Sequence, residues 1–153
     1  MNKFDFGKLL GREKSAMKER RRKMRIPHGS SKILVVDDSS TVVFALSRLL
    51  EQDGYEVLTA ANGEQAIAMA ENHRPDLVLM DVIMPGMNGF QATRRIRKMD
   101  GFEAIPIIII SASEQKTEEF WLRRLGASDF LPKPITRGQL FPTIEKYLFT
   151  QLA

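Results

Sequence analysis

Five side chains of this 153-residue chain stand where they could do chemistry together. Asp37 and Asp38 close the apolar run of "KILVVDD", Asp81 closes "DLVLMD", Ser111 follows "IPIIII", and Lys133 follows "SDFLP". Three carboxylates in one place would repel one another and be left partly protonated. A hard divalent cation removes that conflict, and Mg2+, which prefers oxygen ligands and keeps several waters, suits such a set. An ion held by Asp37, Asp38 and Asp81 could also bridge a phosphoryl oxygen. Lys133 could pair with a second phosphoryl oxygen, and the Ser111 hydroxyl could bond a third. Phosphoryl transfer requires little beyond such positioning and charge neutralisation. A carboxylate can itself be the nucleophile, giving an aspartyl phosphate. Asp81, between the Asp pair and the Ser/Lys side, is the candidate.

Each residue also has an ordinary reading. Asp38 or Ser39 could simply cap a helix, and Asp81 could be a turn-former ahead of Pro85-Gly86. Ser111 could be a strand-end hydroxyl bonded to backbone, and Lys133 a solvated loop lysine. Singly, each ordinary reading wins. The chemistry follows only if the chain gathers all five.

The elements say that it does. From Ile33 onward short β-branched runs alternate with segments of helical period. "KILVVDD", "YEVLTA", "DLVLMD", "IPIIIISAS" and "SDFLPKP" read as strands. "STVVFALSRLLEQDG", "NGEQAIAMAENHRP", "GFQATRRIRKMDG", "EQKTEEFWLRRLGA" and "RGQLFPTIEKYLF" read as the helices between and after them. Five such repeats predict an α/β domain, a doubly wound five-stranded parallel sheet covered on both faces. Right-handed crossovers favour the strand order 2-1-3-4-5. In that order strands one, three, four and five are neighbours, and ligands bind at their carboxyl ends. The five residues sit at those ends.

Charge divides the chain. Residues 1–32 hold eleven Lys/Arg against three Asp/Glu, whereas residues 33–153 hold twelve against sixteen. The basic balance therefore belongs to an N-terminal tail and linker, 1–32, ending in Pro27-His28-Gly29-Ser30-Ser31, ahead of a mildly acidic domain, 33–150. Leu10, Met17 and Met24 recur every seven residues in the tail, with Phe6 one turn earlier, although Gly7 and Gly11 interrupt the stripe. A solvated basic arm is the ordinary reading, and an anionic partner such as nucleic acid the sharper one. There is no cysteine, so thiolate chemistry and disulfides are excluded. No signal-peptide pattern or membrane-length apolar stretch appears, which fits a cytoplasmic protein. His28 and His73 have no companions at metal-ligand spacing and read as surface residues. No G-x-G-x-x-G or Walker loop follows the first strand, which argues against a nucleotide-binding fold. An aspartate-nucleophile phosphohydrolase is a rival, but its first strand carries D-x-D, whereas here the pair is adjacent and the nucleophile candidate lies on strand three.

"ILVVDDSS", "DLVLMDVIMPGMNGF", "IPIIIISAS" and "FLPKP", in this order and spacing, closely resemble the receiver domain of two-component response regulators, the CheY-like family. The resemblance covers about Ile33 to Phe149. It implies that Asp81 is the phosphoacceptor, that Asp37, Asp38 and the Ile83 backbone carbonyl help bind Mg2+, and that a histidine kinase is the phosphodonor. It gives Ser111 the switch-hydroxyl position, Lys133 the lysine usually joined to its proline by a cis peptide, and Phe130 the aromatic position that turns inward on phosphorylation. It implies no enzyme beyond the protein's own phosphorylation and dephosphorylation. Output would be a remodelled surface of the fourth helix, fifth strand and last helix, docking a partner protein to which Phe120 or Trp121 could contribute. The alternative is a phosphate sink draining a shared kinase. Ile83 and Ser113 occupy positions that tune phosphoryl lifetime, and apolar Ile83, unable to orient water, points to slow hydrolysis. Pro132 departs from the family pattern and removes one backbone donor, which a strand end tolerates. Within the family, "NGFQATRRIR" and "FWLRRLGASDFLPKP" look most like single-domain regulators of type IV pilus twitching motility. Only Thr150 to Ala153 follow the last helix, so no C-terminal output domain is expected.

Overall fold

A computed structural model of the chain describes residues 31–112 and 124–150. The strands are β1 (Lys32–Val36), β2 (Glu56–Ala60), β3 (Leu77–Asp81), β4 (Ile107–Ser111) and β5 (Asp129–Pro132). All are parallel, in the order β2-β1-β3-β4-β5. Helices α1 (Ser40–Gln52), α2 (Gly63–His73), α3 (Gly89–Arg97) and a C-terminal helix (Arg137–Thr150) accompany them. The order is the one the crossover rules predict. Residues 1–30 of the basic tail and the segment bearing Ser113, Phe120 and Trp121, most of the predicted fourth helix, lie outside the described residues, and Lys32, assigned to the tail, already opens β1.

Successive strand residues point to opposite faces, and here both faces are covered. Leu34, Val36, Val78, Met80, Ile107 and Ile109 pack with Ala66, Ala70, Phe90 and Ile96 of α2 and α3. Their neighbours Ile33, Val35, Leu77, Leu79, Ile108 and Ile110 pack with Leu46 and Leu50 of α1 and with Leu140, Phe141 and Ile144 of the C-terminal helix. That two-sided burial is why β1, β3 and β4 are unbroken apolar runs rather than alternating ones. The edge strand β2, with two exposed residues, shows the weaker pattern.

The helix starts fix where the strand ends point. Ser39 caps α1, its side chain accepting from the Val42 N–H, and Asn62 caps α2 in the same way. Asn88 and Gln91 form a reciprocal capping box at the start of α3. Among the described residues no helix is long and apolar enough to cross a membrane.

Candidate functional site

Asp81 is the last residue of β3, and Asp37 and Asp38 lie just past β1 rather than within it. Asp37 nevertheless continues the pairing, its N–H donating to the Ala60 carbonyl at 3.1 Å. Asp37 and Asp81 are buried, at 3% and 5% exposure, and Asp38 is exposed. Ligand oxygens of the three carboxylates all lie within 4.8 Å of one another. The capping question resolves on geometry. Ser39 takes the cap, and its backbone N–H donates to Asp37 Oδ1 at 2.9 Å. Asp38 is therefore spared for the cluster.

Lys133 follows β5, its N–H held by the Ser111 carbonyl at 3.0 Å and its peptide bond to Pro134 cis. Its Nζ lies 3.0 Å from Asp37 Oδ2 and 3.0 Å from Asp81 Oδ1. One ammonium group thus serves two buried carboxylates. Burial pushes the Asp81 carboxyl above its ordinary range; Lys133 opposes the rise and the nearby Asp37 charge adds to it. Burial alone would lower the Lys133 ammonium, but its contacts with Asp37 and Asp81 outweigh that and raise it. Among the described residues, three carboxylates against one ammonium leave an excess of negative charge among oxygen donors. That donor set suits a hard divalent cation.

Ser111 is buried, at the end of β4 and opposite Pro132 of β5 in the parallel register. Pro132 is tolerated because it is the last residue of its strand. Ile83 stands 77% exposed in the loop after Asp81. Phe130 is already buried, among the side chains on the α2/α3 side of the sheet. His73 is exposed at the end of α2.

Two contributors escape a motif reading. Gly89 opens α3 against the end of β3, its N–H donating to the Val82 carbonyl at 2.9 Å. A Cβ there would lie 2.0 Å from the Asp81 carbonyl oxygen, so only glycine permits this approach. The "NG" before the helix signals a turn but not that contact. Arg97, one of four cations in "RRIRK", is the other. Its guanidinium donates to the carbonyls of Gly126, Phe102 and Ile105 and to Ser128 Oγ.

Residues 33–145 match the response regulator receiver domain model. The chain is 46% identical over 118 residues to Protein PilH of Pseudomonas aeruginosa, covering 77% of this chain and 98% of that one. Among solved structures, chemotaxis protein CheY4 of Vibrio cholerae superposes with a TM-score of 0.75 at 32% identity, over 78% of this chain and all of that one. The receiver domain of sensor histidine kinase PA1611 from Pseudomonas aeruginosa superposes with a TM-score of 0.72 at 31% identity, over 78% and 98% of the two chains. That structure carries a magnesium ion coordinated in its active-site cleft.

Proposed function

We propose, from the premise that this chain belongs to the response regulator receiver domain family, that Asp81 accepts a phosphoryl group from a histidine kinase. The observation that carries the proposal is the gathering of Asp37, Asp38 and Asp81 within 4.8 Å, with Lys133 3.0 Å from two of them. In the transfer the phosphohistidine N–P bond breaks and an Asp81 Oδ–P bond forms, the histidine nitrogen keeping the electron pair. Asp37, Asp38, Asp81 and the Ile83 carbonyl would hold Mg2+, which supplies charge neutralisation to the carboxylates and the phosphoryl oxygens. Lys133 places its ammonium where a phosphoryl oxygen develops charge, and Ser111 offers a hydroxyl to another. The phosphoryl group replaces one carboxylate partner of Lys133 with a more highly charged one, which is the local event a switch requires.

Phe130, buried on the α2/α3 side of the sheet, is the aromatic side chain that this event would reposition. The reading extends to a cytoplasmic single-domain regulator acting by docking, and to pilus signalling, for which the support is the motif resemblance and the identity with PilH. Apolar Ile83, exposed two residues after Asp81, favours a long-lived phosphoryl group. Labelling by acetyl phosphate tests the core of the proposal. Wild type should label only with Mg2+, and Asp81→Asn should not label at all. Equal labelling of the variant would overturn it.

A further inference from the structure

Helix α3 carries more positive charge than its packing uses. Gly89, Ala92, Thr93 and Ile96 form a buried face at positions i, i+3, i+4 and i+7. Gln91, Arg94, Arg95 and Lys98 repeat that spacing on the exposed side. Arg97 is consumed by its carbonyl partners. Arg94, Arg95 and Lys98 make no ion pair or side-chain hydrogen bond among the described residues. Like charges one turn apart destabilise a helix. Its dipole favours cations in the last turn, where Arg94, Arg95 and Arg97 all lie, but that interaction leaves the exposed guanidinium groups of Arg94 and Arg95 open to a ligand. The excess falls on a domain whose own balance is acidic.

These three cations line an open cleft of about 520 Å³ with Glu64, Met87 and Gln91, a size ordinary for small-molecule sites. The Gln91 carbonyl oxygen is taken by the Asn88 N–H, which leaves its amide NH2 to donate. Met87, half-buried, is fixed from behind: a Cβ on Gly63 would come within 2.9 Å of it. The cleft thus offers two planar guanidinium forks, a point cation, an amide donor, an apolar floor and one carboxylate acceptor. Guanidinium forks match phosphate oxygens bidentately. Glu64 would repel an acidic protein segment laid across the cleft, but it suits an N–H or O–H donor on a small ligand.

We propose that this cleft binds a phosphorylated small molecule of nucleotide size, with its phosphates on Arg94, Arg95 and Lys98 and its organic part on Met87. The site is separate from Asp81 and does not depend on phosphoryl transfer there. The test follows the backbone amides of the isotope-labelled full chain by NMR, without Mg2+, during titration with inorganic pyrophosphate and, separately, with ADP. Saturable shifts should appear at Met87 and from Gln91 to Lys98, with ADP the tighter ligand. The double variant Arg94→Gln/Arg95→Gln should weaken both at least tenfold, about 1.4 kcal/mol. Its thermal midpoint without ligand should change little, because relieved like-charge repulsion offsets the lost dipole interaction of two last-turn cations; a large fall would mean that the arginines serve the helix and would overturn the proposal. Shifts confined to the basic tail, no saturation at α3, or equal affinity in the variant would overturn the proposal. Equal affinity for pyrophosphate and ADP would overturn the role of Met87.

Discussion

At the carboxyl ends of β1 and β3, two buried carboxylates share one ammonium group, and a third carboxylate stands beside them. At the end of α3, the half-buried Arg97 gives its guanidinium to three carbonyls and a hydroxyl, with no carboxylate among them. Both regions draw charge out of water, and in both burial opposes ionisation, raising Asp81 and lowering Arg97. They differ in completeness. Neutral dipoles from the chain itself finish the compensation of Arg97, whereas among the described residues Lys133 alone faces the carboxylate cluster, which keeps an excess of negative charge. A buried charge with finished partners is architecture, and one with unfinished partners is where a ligand acts.

The most severe way to break the comparison is to push the backbone at the carboxylate end. Gly89→Ala would place a Cβ 2.0 Å from the Asp81 carbonyl oxygen, and a strand backbone cannot swing aside as a side chain can. We expect a loss of about 3–5 kcal/mol in urea denaturation and weakened Mg2+ binding in whatever fraction folds. Arg97→Met comes next. It leaves three carbonyls and the Ser128 hydroxyl short of a donor and should cost about 3 kcal/mol, while acetyl phosphate still labels Asp81. No cation added to the solution should restore that loss.

Lys133→Met sharpens the contrast from the other side. Asp37 and Asp81 lose their shared cation, and the metal-free protein should lose about 2 kcal/mol, between the values for exposed and buried pairs. Mg2+ should recover much of this, because the cluster can take its compensation from solution. Denaturation with and without Mg2+ decides it: no recovery would place Lys133 with Arg97 as architecture. Since burial raises the Asp81 carboxyl above its ordinary value, Mg2+ affinity should begin to weaken at a higher pH than for an ordinary carboxylate site, which Mg2+ titrations at a series of pH values would read.

How much of this was legible in the chain follows from the same distinction. Strands buried on both faces must be apolar throughout, so "KILVV" and "IIIIS" announce themselves, and a charged or hydroxyl residue closing such a run is conspicuous. Asp37, Asp81 and Ser111 were visible on that ground, whereas Lys133 follows the short "DFLP" strand, apolar at its centre only, and was legible from its place at the end of the fifth strand. Asp38 was ambiguous with Ser39 until the cap geometry separated them. Arg97 was invisible for a physical reason: its partners are backbone carbonyls, which every residue carries, and Arg94, Arg95 and Lys98 beside it have the same chemistry. Gly89 was visible as a turn glycine but not as the point where α3 meets Asp81, because that contact depends on how helix and strand pack.

The smallest effect concerns the other elements that meet Arg97's partners. Ser128 accepts from Arg97 and from the Ile107 N–H through its hydroxyl, and its carbonyl accepts from the Tyr147 hydroxyl at 2.7 Å. That hydroxyl also lies 2.9 Å from Asp129 Oδ2, so the entry to β5, two residues before Phe130, is tied to the C-terminal helix. Burial and Asp129 push the Tyr147 phenol up to about 12. A pKa raised by folding gives stability that is fully present below the unfolded value, about 10, and lost as pH rises through about 12. Tyr147→Phe should therefore cost about 1 kcal/mol at neutral pH, and the difference from wild type should shrink only above the ordinary tyrosine range. Ultraviolet titration of the phenolate band should show a high-pH component in wild type that is missing from the variant. If both proteins titrate alike, the hydroxyl is not held at the start of β5, and the clamp around Ser128 reduces to Arg97 and the Ile107 amide.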